Sequence, residues 1–278
     1  MNTLLLLAPL PALLASLFLM HTVGAGSGVW GQQAVVSFFC FFFCGLALRK
    51  PREPLSEKIQ LRWVLVSLAL LVIPLLASVD GPRRWIEISG FRLYVASAVL
   101  PAALVLLASL QRRQPSSPTR GALIYVAMAT ALTLQPDASQ VTAFSSAAGL
   151  SLLVGNASKM IKATGITGLA ACMGWAWSRP DPLEPIPHVE GVLDLAWNLG
   201  PLALIAAVLA LALPFLGLLA AGVAGRQPGL AIAAVYYLVI CLLAGSTQLT
   251  PMPWLGFGAG PILGYFALVY VVSRRTSR

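Results

Sequence analysis

R-P-D-P-L-E-P-I-P-H-V-E-G-V-L-D-L-A-W-N-L-G, residues Arg179 to Gly200, is the stretch around which the chain is organised. It carries Asp181, Glu184, Glu190 and Asp194 beside His188, whereas every other long non-apolar stretch is basic or short. Pro180, Pro182, Pro185 and Pro187 remove backbone donors and fix φ, so the first half reads as an extended, irregular loop. On either side of this loop the chain becomes strongly apolar, and the loop reads as a segment held by a frame at one face of a membrane.

The frame follows from composition. A chain of 278 residues that is 58% hydrophobic and 10% charged, with a mean hydropathy of +0.85, has more apolar surface than one soluble domain can hide. Runs of roughly 17 to 25 residues, enough to cross a ~30 Å hydrocarbon core, fall near residues 3–22, 29–48, 61–79, 92–110, 120–134, 139–155, 163–178, 195–224, 229–247 and 254–273. Thr3 to His21 lacks a basic n-region and an A-x-A-like site, so it reads as a first membrane helix rather than a signal peptide. The fifth to seventh runs are short or rich in Gly, Ser and Thr, and such helices are expected to be wrapped by others or packed through small residues. The expected architecture is all-α and polytopic, with about ten spans in a single transmembrane domain over residues 1–278.

Lys and Arg are retained in cytoplasmic loops, and 14 of the 18 fall in loops on one side. The other four are Arg83, Arg84, Arg92 and Arg179. Both termini are therefore expected in the cytoplasm, and seven of the nine carboxylates on the outward face. The net charge of +9 is spread over short loops between spans, which argues against a nucleic-acid surface. Cys40, Cys44, Cys172 and Cys241 lie in apolar runs with no C-x-x-C pair, so they read as small buried hydrophobes, with Cys40 and Cys44 spaced for one helical face.

Three outward elements carry further signals. D-G-P-R-R-W-I-E-I-S-G, Asp80 to Gly90, reads as an interfacial turn in which Trp85 anchors at headgroup depth. Arg83 and Arg84, on the side that normally excludes arginine, make it a candidate for binding a lipid pyrophosphate. In L-Q-P-D-A-S-Q, Leu134 to Gln140, Pro136 ends one helix and Asp137 caps the next. T-P-M-P-W-L-G-F-G-A-G-P, Thr250 to Pro261, is weakened by Gly256, Gly258 and Gly260, and a glycine-mediated helix contact is the simplest account of it.

In this order these pieces resemble the SEDS family (shape, elongation, division and sporulation) of RodA- and FtsW-like membrane proteins. G-P-R-R-W-I (Gly81 to Ile86) resembles the family's G-x-x-R-W-I, and Q-P-D (Gln135 to Asp137) its Q-P-D. P-I-P-H-V-E (Pro185 to Glu190) is similar to P-E-x-H-T-D, and P-W-L-G-F-G-A-G (Pro253 to Gly260) to P-F-x-S-Y-G-G-S. Glu190 stands where the family has an essential Asp, Trp197-Asn198 where it has paired acids, and Leu93 to Ser97 where it has Q-P-S-E.

The resemblance implies a multi-pass protein of the bacterial inner membrane that polymerises a lipid II-like, undecaprenyl-pyrophosphate-linked sugar on the outer face. The implied partners are membrane lipid, the lipid-linked precursor and a single-span protein such as a class B penicillin-binding protein. In such an enzyme Glu190 is the expected base with Asp194 as its alternate, and Arg83 and Arg84 hold the pyrophosphate. Trp85 packs on sugar or lipid, while His188 and Asp137 complete the substrate-binding set. No resident cofactor is expected, with a divalent cation left open. The departures at the acidic positions point to the alternative, a catalytically degenerate scaffold that binds the precursor or a partner membrane protein.

Overall fold

The computed structural model describes residues 2–49, 53–76, 83–113, 118–179, 183–224 and 228–274. Asp80, Gly81, Pro82 and Asp181 lie outside them. The described chain is helical throughout except for one hairpin and the loops. Its elements are α1 (Asn2–Leu7), α2 (Leu10–Thr22), α3 (Ser27–Arg49), α4 (Glu57–Val72) with a 3-10 turn at Ile73–Leu76, β1 (Trp85–Ile88) and β2 (Phe91–Tyr94). They continue with α5 (Val95–Arg113), α6 (Pro118–Leu134), α7 (Ala138–Val154), α8 (Lys159–Trp177), α9 (Val192–Asn198), α10 (Pro201–Ala224), α11 (Pro228–Ser246) and α12 (Ala259–Ser273).

The ten apolar runs are all found as helices. Five of the described helical stretches are long and apolar enough to cross a membrane: Thr3–Thr22, Ser27–Arg49, Glu57–Leu76, Val95–Arg112 and Pro201–Val223. Shorter apolar helices pack among them. The first run is broken at Ala8–Pro9, where proline interrupts the backbone ladder. The eighth is split: Gly200, at φ +121°, separates the short α9 from α10.

The segment read as an interfacial turn is instead an antiparallel hairpin pairing Trp85 with Tyr94 and Ile88 with Phe91. Its two-residue loop, Ser89-Gly90, has φ of +49° and +80°, the conformation that matches strand twist in a tight hairpin. The fourth apolar run therefore starts three residues later than its hydropathy suggests, because Arg92 to Tyr94 belong to β2.

In the centre, α5 packs on α12, α4 and α11, while α7 packs on α11 and α8. The α5–α12 contact is close because Gly260 and Gly264 are spaced one turn apart. A Cβ at Gly260 would run into Ser97 Oγ and the Tyr94 carbonyl, and one at Gly264 into the Ser97 carbonyl. Of the three glycines singled out after Thr250, Gly260 serves the expected helix contact, whereas Gly256 and Gly258 lie in the loop before α12. The small-residue expectation for the middle helices also holds: Gly165 and Gly168 of α8 let Leu152 and Val126 approach. All four cysteines are free and buried, and Cys44 faces the Phe266 carbonyl of α12 at 3.9 Å.

Candidate functional site: a cavity between the hairpin and two stitched loops

At the end of the bundle where the hairpin lies, a cavity of about 300 Å³ opens between β1–β2 and the segments before α9 and after α11. Arg84, Trp85 and Tyr94 form one wall, Leu183 to Pro185 with Glu190 a second, and Thr247 to Pro251 a third.

The second and third walls are joined through their backbones. The turn after Pro185 is closed by the Ile186 carbonyl, which accepts N–H groups from Val189, Glu190 and Gly191. The Glu190 carboxylate completes it by accepting the Ile186 N–H at 2.8 Å. This turn then offers its own carbonyls across the gap: Val189 accepts from Met252 N–H at 3.1 Å and His188 from Phe257 N–H at 2.9 Å. Gly256 makes this approach possible, because a Cβ there would collide with the Val189 carbonyl. Gln33 of α3, 1% exposed, fixes the loop that follows the third wall, donating to Gly256 O at 3.2 Å and accepting from Gly258 N–H at 3.1 Å.

Arg84 is 4% exposed. Its Nε donates to Gln135 O at 3.3 Å and its Nη2 to Pro136 O, so the guanidinium is held against the α6–α7 turn while lining the cavity. Asp137, fully buried in that turn, caps α7 by accepting from Gln140 N–H at 3.2 Å, and it also accepts from Ser139 Oγ and the Tyr94 hydroxyl. Behind this group, Gln140 accepts from Tyr237 Oη at 2.6 Å, so a polar core continues between α7 and α11.

The cavity brings together Glu190, Arg84 and Trp85 of the expected set. The other four residues stand around it. Arg83 is exposed outside the wall and donates to Leu75 O at 3.1 Å. Asp194, exposed on α9, accepts from Gln248, which does line the cavity. Asp137 reaches the wall only through Tyr94. His188 is half-buried, with its ring centroid 6.2 Å from that of Phe257, and burial lowers its pKa from the ordinary 6.5.

Sequence reasoning left Tyr94, Glu184, Gln248 and Thr250 out of the site. Tyr94 was hidden at the edge of an apolar run. Gln248, at φ +60°, lies just beyond another, and its unusual backbone has no signature in the sequence. Two carboxylates, Glu184 and Glu190, face one guanidinium in the cavity. Among the described residues no group of three or more metal-ligating side chains forms. A second cavity, about 260 Å³, lies at the opposite end between α4, α5 and α6, with Lys58 and Arg120 on its rim.

No protein-family model and no curated protein sequence matches the chain. Solved structures do. The crystal structure of the Thermus thermophilus rod shape determining protein RodA superposes with a TM-score of 0.69 at 16% identity, covering 99% of this chain and 97% of that one. A mutant of the same protein, with an aspartate replaced by alanine, gives 0.71 at the same identity and coverage. The chain is a polytopic membrane protein with the fold of RodA, and the resemblance to the SEDS family carried by four short motifs is borne out in its architecture.

Proposed function

We propose that the chain is a SEDS-like glycosyltransferase of the bacterial inner membrane that polymerises a lipid II-like sugar on the outer face. The observation that carries this reading is the meeting of Glu190 and Arg84, from distant parts of the chain, in one cavity with Trp85. In the reaction an acceptor sugar hydroxyl attacks C1 of the donor sugar. The C1–O bond to pyrophosphate breaks with its electron pair leaving on undecaprenyl pyrophosphate, and Glu190 takes the hydroxyl proton. Arg84, anchored by two carbonyls, is a preorganised positive charge for the leaving group. Arg83 on the rim extends that attraction, Trp85 packs against sugar or lipid, and Asp194 is the alternate base.

The same reading sets the cavity end outside and both termini in the cytoplasm. It is supported by Lys58, Arg112 and Arg120 at the opposite end of the bundle. A divalent cation arriving with the pyrophosphate is compatible with the two carboxylates that face Arg84.

The test is polymerisation of fluorescent lipid II by the purified chain, with and without a class B penicillin-binding protein. Glu190→Gln is expected to lose about 10²- to 10⁴-fold in rate, the usual contribution of a general base. Unchanged product from that variant would sink the assignment. A second reading is favoured by the bonds already made: Glu190 closes its own turn and Arg84 staples the α6–α7 turn, tasks of structural residues. On that reading the protein is a scaffold for the lipid-linked precursor or a single-span partner. Retained partner binding with no product under any condition is its expected signature.

A further inference from the structure

Thr250 is 3% exposed and lines the cavity, yet its hydroxyl has no hydrogen-bond partner among the described residues. Buried hydroxyls are ordinarily paired, and an unpaired one at a cavity wall is an open position for a ligand. Tyr94 lines the same wall, 6% exposed. Its proton is already given to Asp137, so its oxygen faces the cavity side as an acceptor only.

The pair therefore offers an acceptor from Tyr94 and a donor or acceptor from Thr250, with no positive charge of its own. Behind it lies the Asp137 carboxylate, and Glu184 and Glu190 line the same space. An anion seated there would meet three carboxylates against the one guanidinium of Arg84, whereas a neutral group that both donates and accepts would satisfy Thr250 and Tyr94 together. Sugar hydroxyls and N-acetyl amides have that chemistry.

We infer that Thr250 and Tyr94 form a sugar-recognition subsite that reads a hydroxyl or amide of the donor, with its pyrophosphate toward Arg84. This deepens the glycosyltransferase reading and rests on it for the class of ligand. Asp137 acts here as a positioning residue, fixing which way the Tyr94 proton points.

The two ends of the ligand can be measured separately with the full chain in nanodiscs, titrated with lipid II and, in parallel, with undecaprenyl pyrophosphate, which lacks the sugars. The wild type is expected to bind lipid II more tightly. Thr250→Val is expected to weaken lipid II binding roughly tenfold, as loss of a site's hydrogen bond to a substrate group does, with undecaprenyl pyrophosphate unaffected. Thr250→Ser should restore it. Since the Thr250 hydroxyl stands near that of Tyr94 but completes no hydrogen bond of normal geometry among the described residues, Thr250→Val should keep or raise the thermal midpoint, separating recognition from folding. Equal affinity of the wild type for both probes, equal weakening of both by Thr250→Val, or no weakening of either would overturn the subsite. Discrimination between the probes without polymer formation would keep the subsite and sink the glycosyltransferase reading.

Discussion

The inner and outer helices of this bundle invert the arrangement of a soluble protein. α10 is built from Leu, Ala and Val, yet only 28% of its apolar window is buried, and Leu202 and Leu209 are 80% and 62% exposed. α5 intersperses Ser97, Ser109 and five alanines among its leucines and valines, and 72% of its apolar stretch is buried. The buried faces of α6 and α7 likewise take Thr133, Ser139, Gln140 and Ser145. Lipid tails are as apolar as leucine, so large aliphatic side chains gain little by turning inward. Close packing of small residues and hydrogen bonds between helices select the interior instead. Polarity that soluble proteins leave at the surface is gathered at the centre here, where it also builds the wall behind the cavity.

The sharpest way to break that comparison is to put equal volume changes on the two kinds of helix. Gly264→Val drives a branched side chain into the Ser97 carbonyl of α5, and overpacking against backbone is expected to cost roughly 3 kcal/mol or more. Leu209→Ala, on the exposed face of α10, should change stability by less than about 0.5 kcal/mol. Unfolding of both variants in one detergent measures the difference. Similar losses would mean that α10 is covered by something other than lipid.

A middle case is α3, an outer helix with 22% of its apolar stretch buried, whose Gln33 nevertheless reaches the loop that follows the cavity's third wall. Gln33→Leu keeps the volume but strips its bonds to Gly256 O and Gly258 N–H and the 3.3 Å contact with Ser16 Oγ. Leaving those groups unpaired should cost about 1–3 kcal/mol. The loss should appear as faster amide exchange over residues 250–258, with the rest of α3 unchanged. Uniform acceleration along α3 would show that Gln33 holds the helix rather than the loop.

The same contrast explains what the sequence could disclose. Apolar length locates helices whatever they pack against, so all ten runs were legible, to within a few residues at most ends. The hairpin was not, because Phe91, Leu93 and Tyr94 continue the apolar composition of α5, and only the Ser89-Gly90 turn separates them. Capping by Asp137 was readable from local spacing, but its bond to Tyr94 needs the chain to fold back on itself. The cavity was half legible for that reason. Glu190, Arg84 and Trp85 sit in motifs, whereas Thr250 matters through a missing partner, which no linear pattern records.

The smallest expected effect lies in the stitched loops, the part of the molecule packed least like either helix class. Burial disfavours the charged His188 ring, so its pKa in the folded protein lies below the ordinary 6.5. Between that lowered value and 6.5 the opened loop binds more protons than the closed one. Closure is therefore fully stabilised above 6.5 and weakened as pH falls through this window. The ring is substantially solvated, so the change should be less than about 1 kcal/mol. It should register as loss of protection at the Phe257 and Met252 amides, which donate to His188 and Val189, when exchange is compared at pH 7.5 and 5.5 after correction for intrinsic rates. His188→Gln should flatten that pH dependence while the central α5–α12 amides stay protected in both proteins. A pH dependence that survives the substitution would move its origin to the carboxylates of the cavity, and so join the loops energetically to the site they enclose.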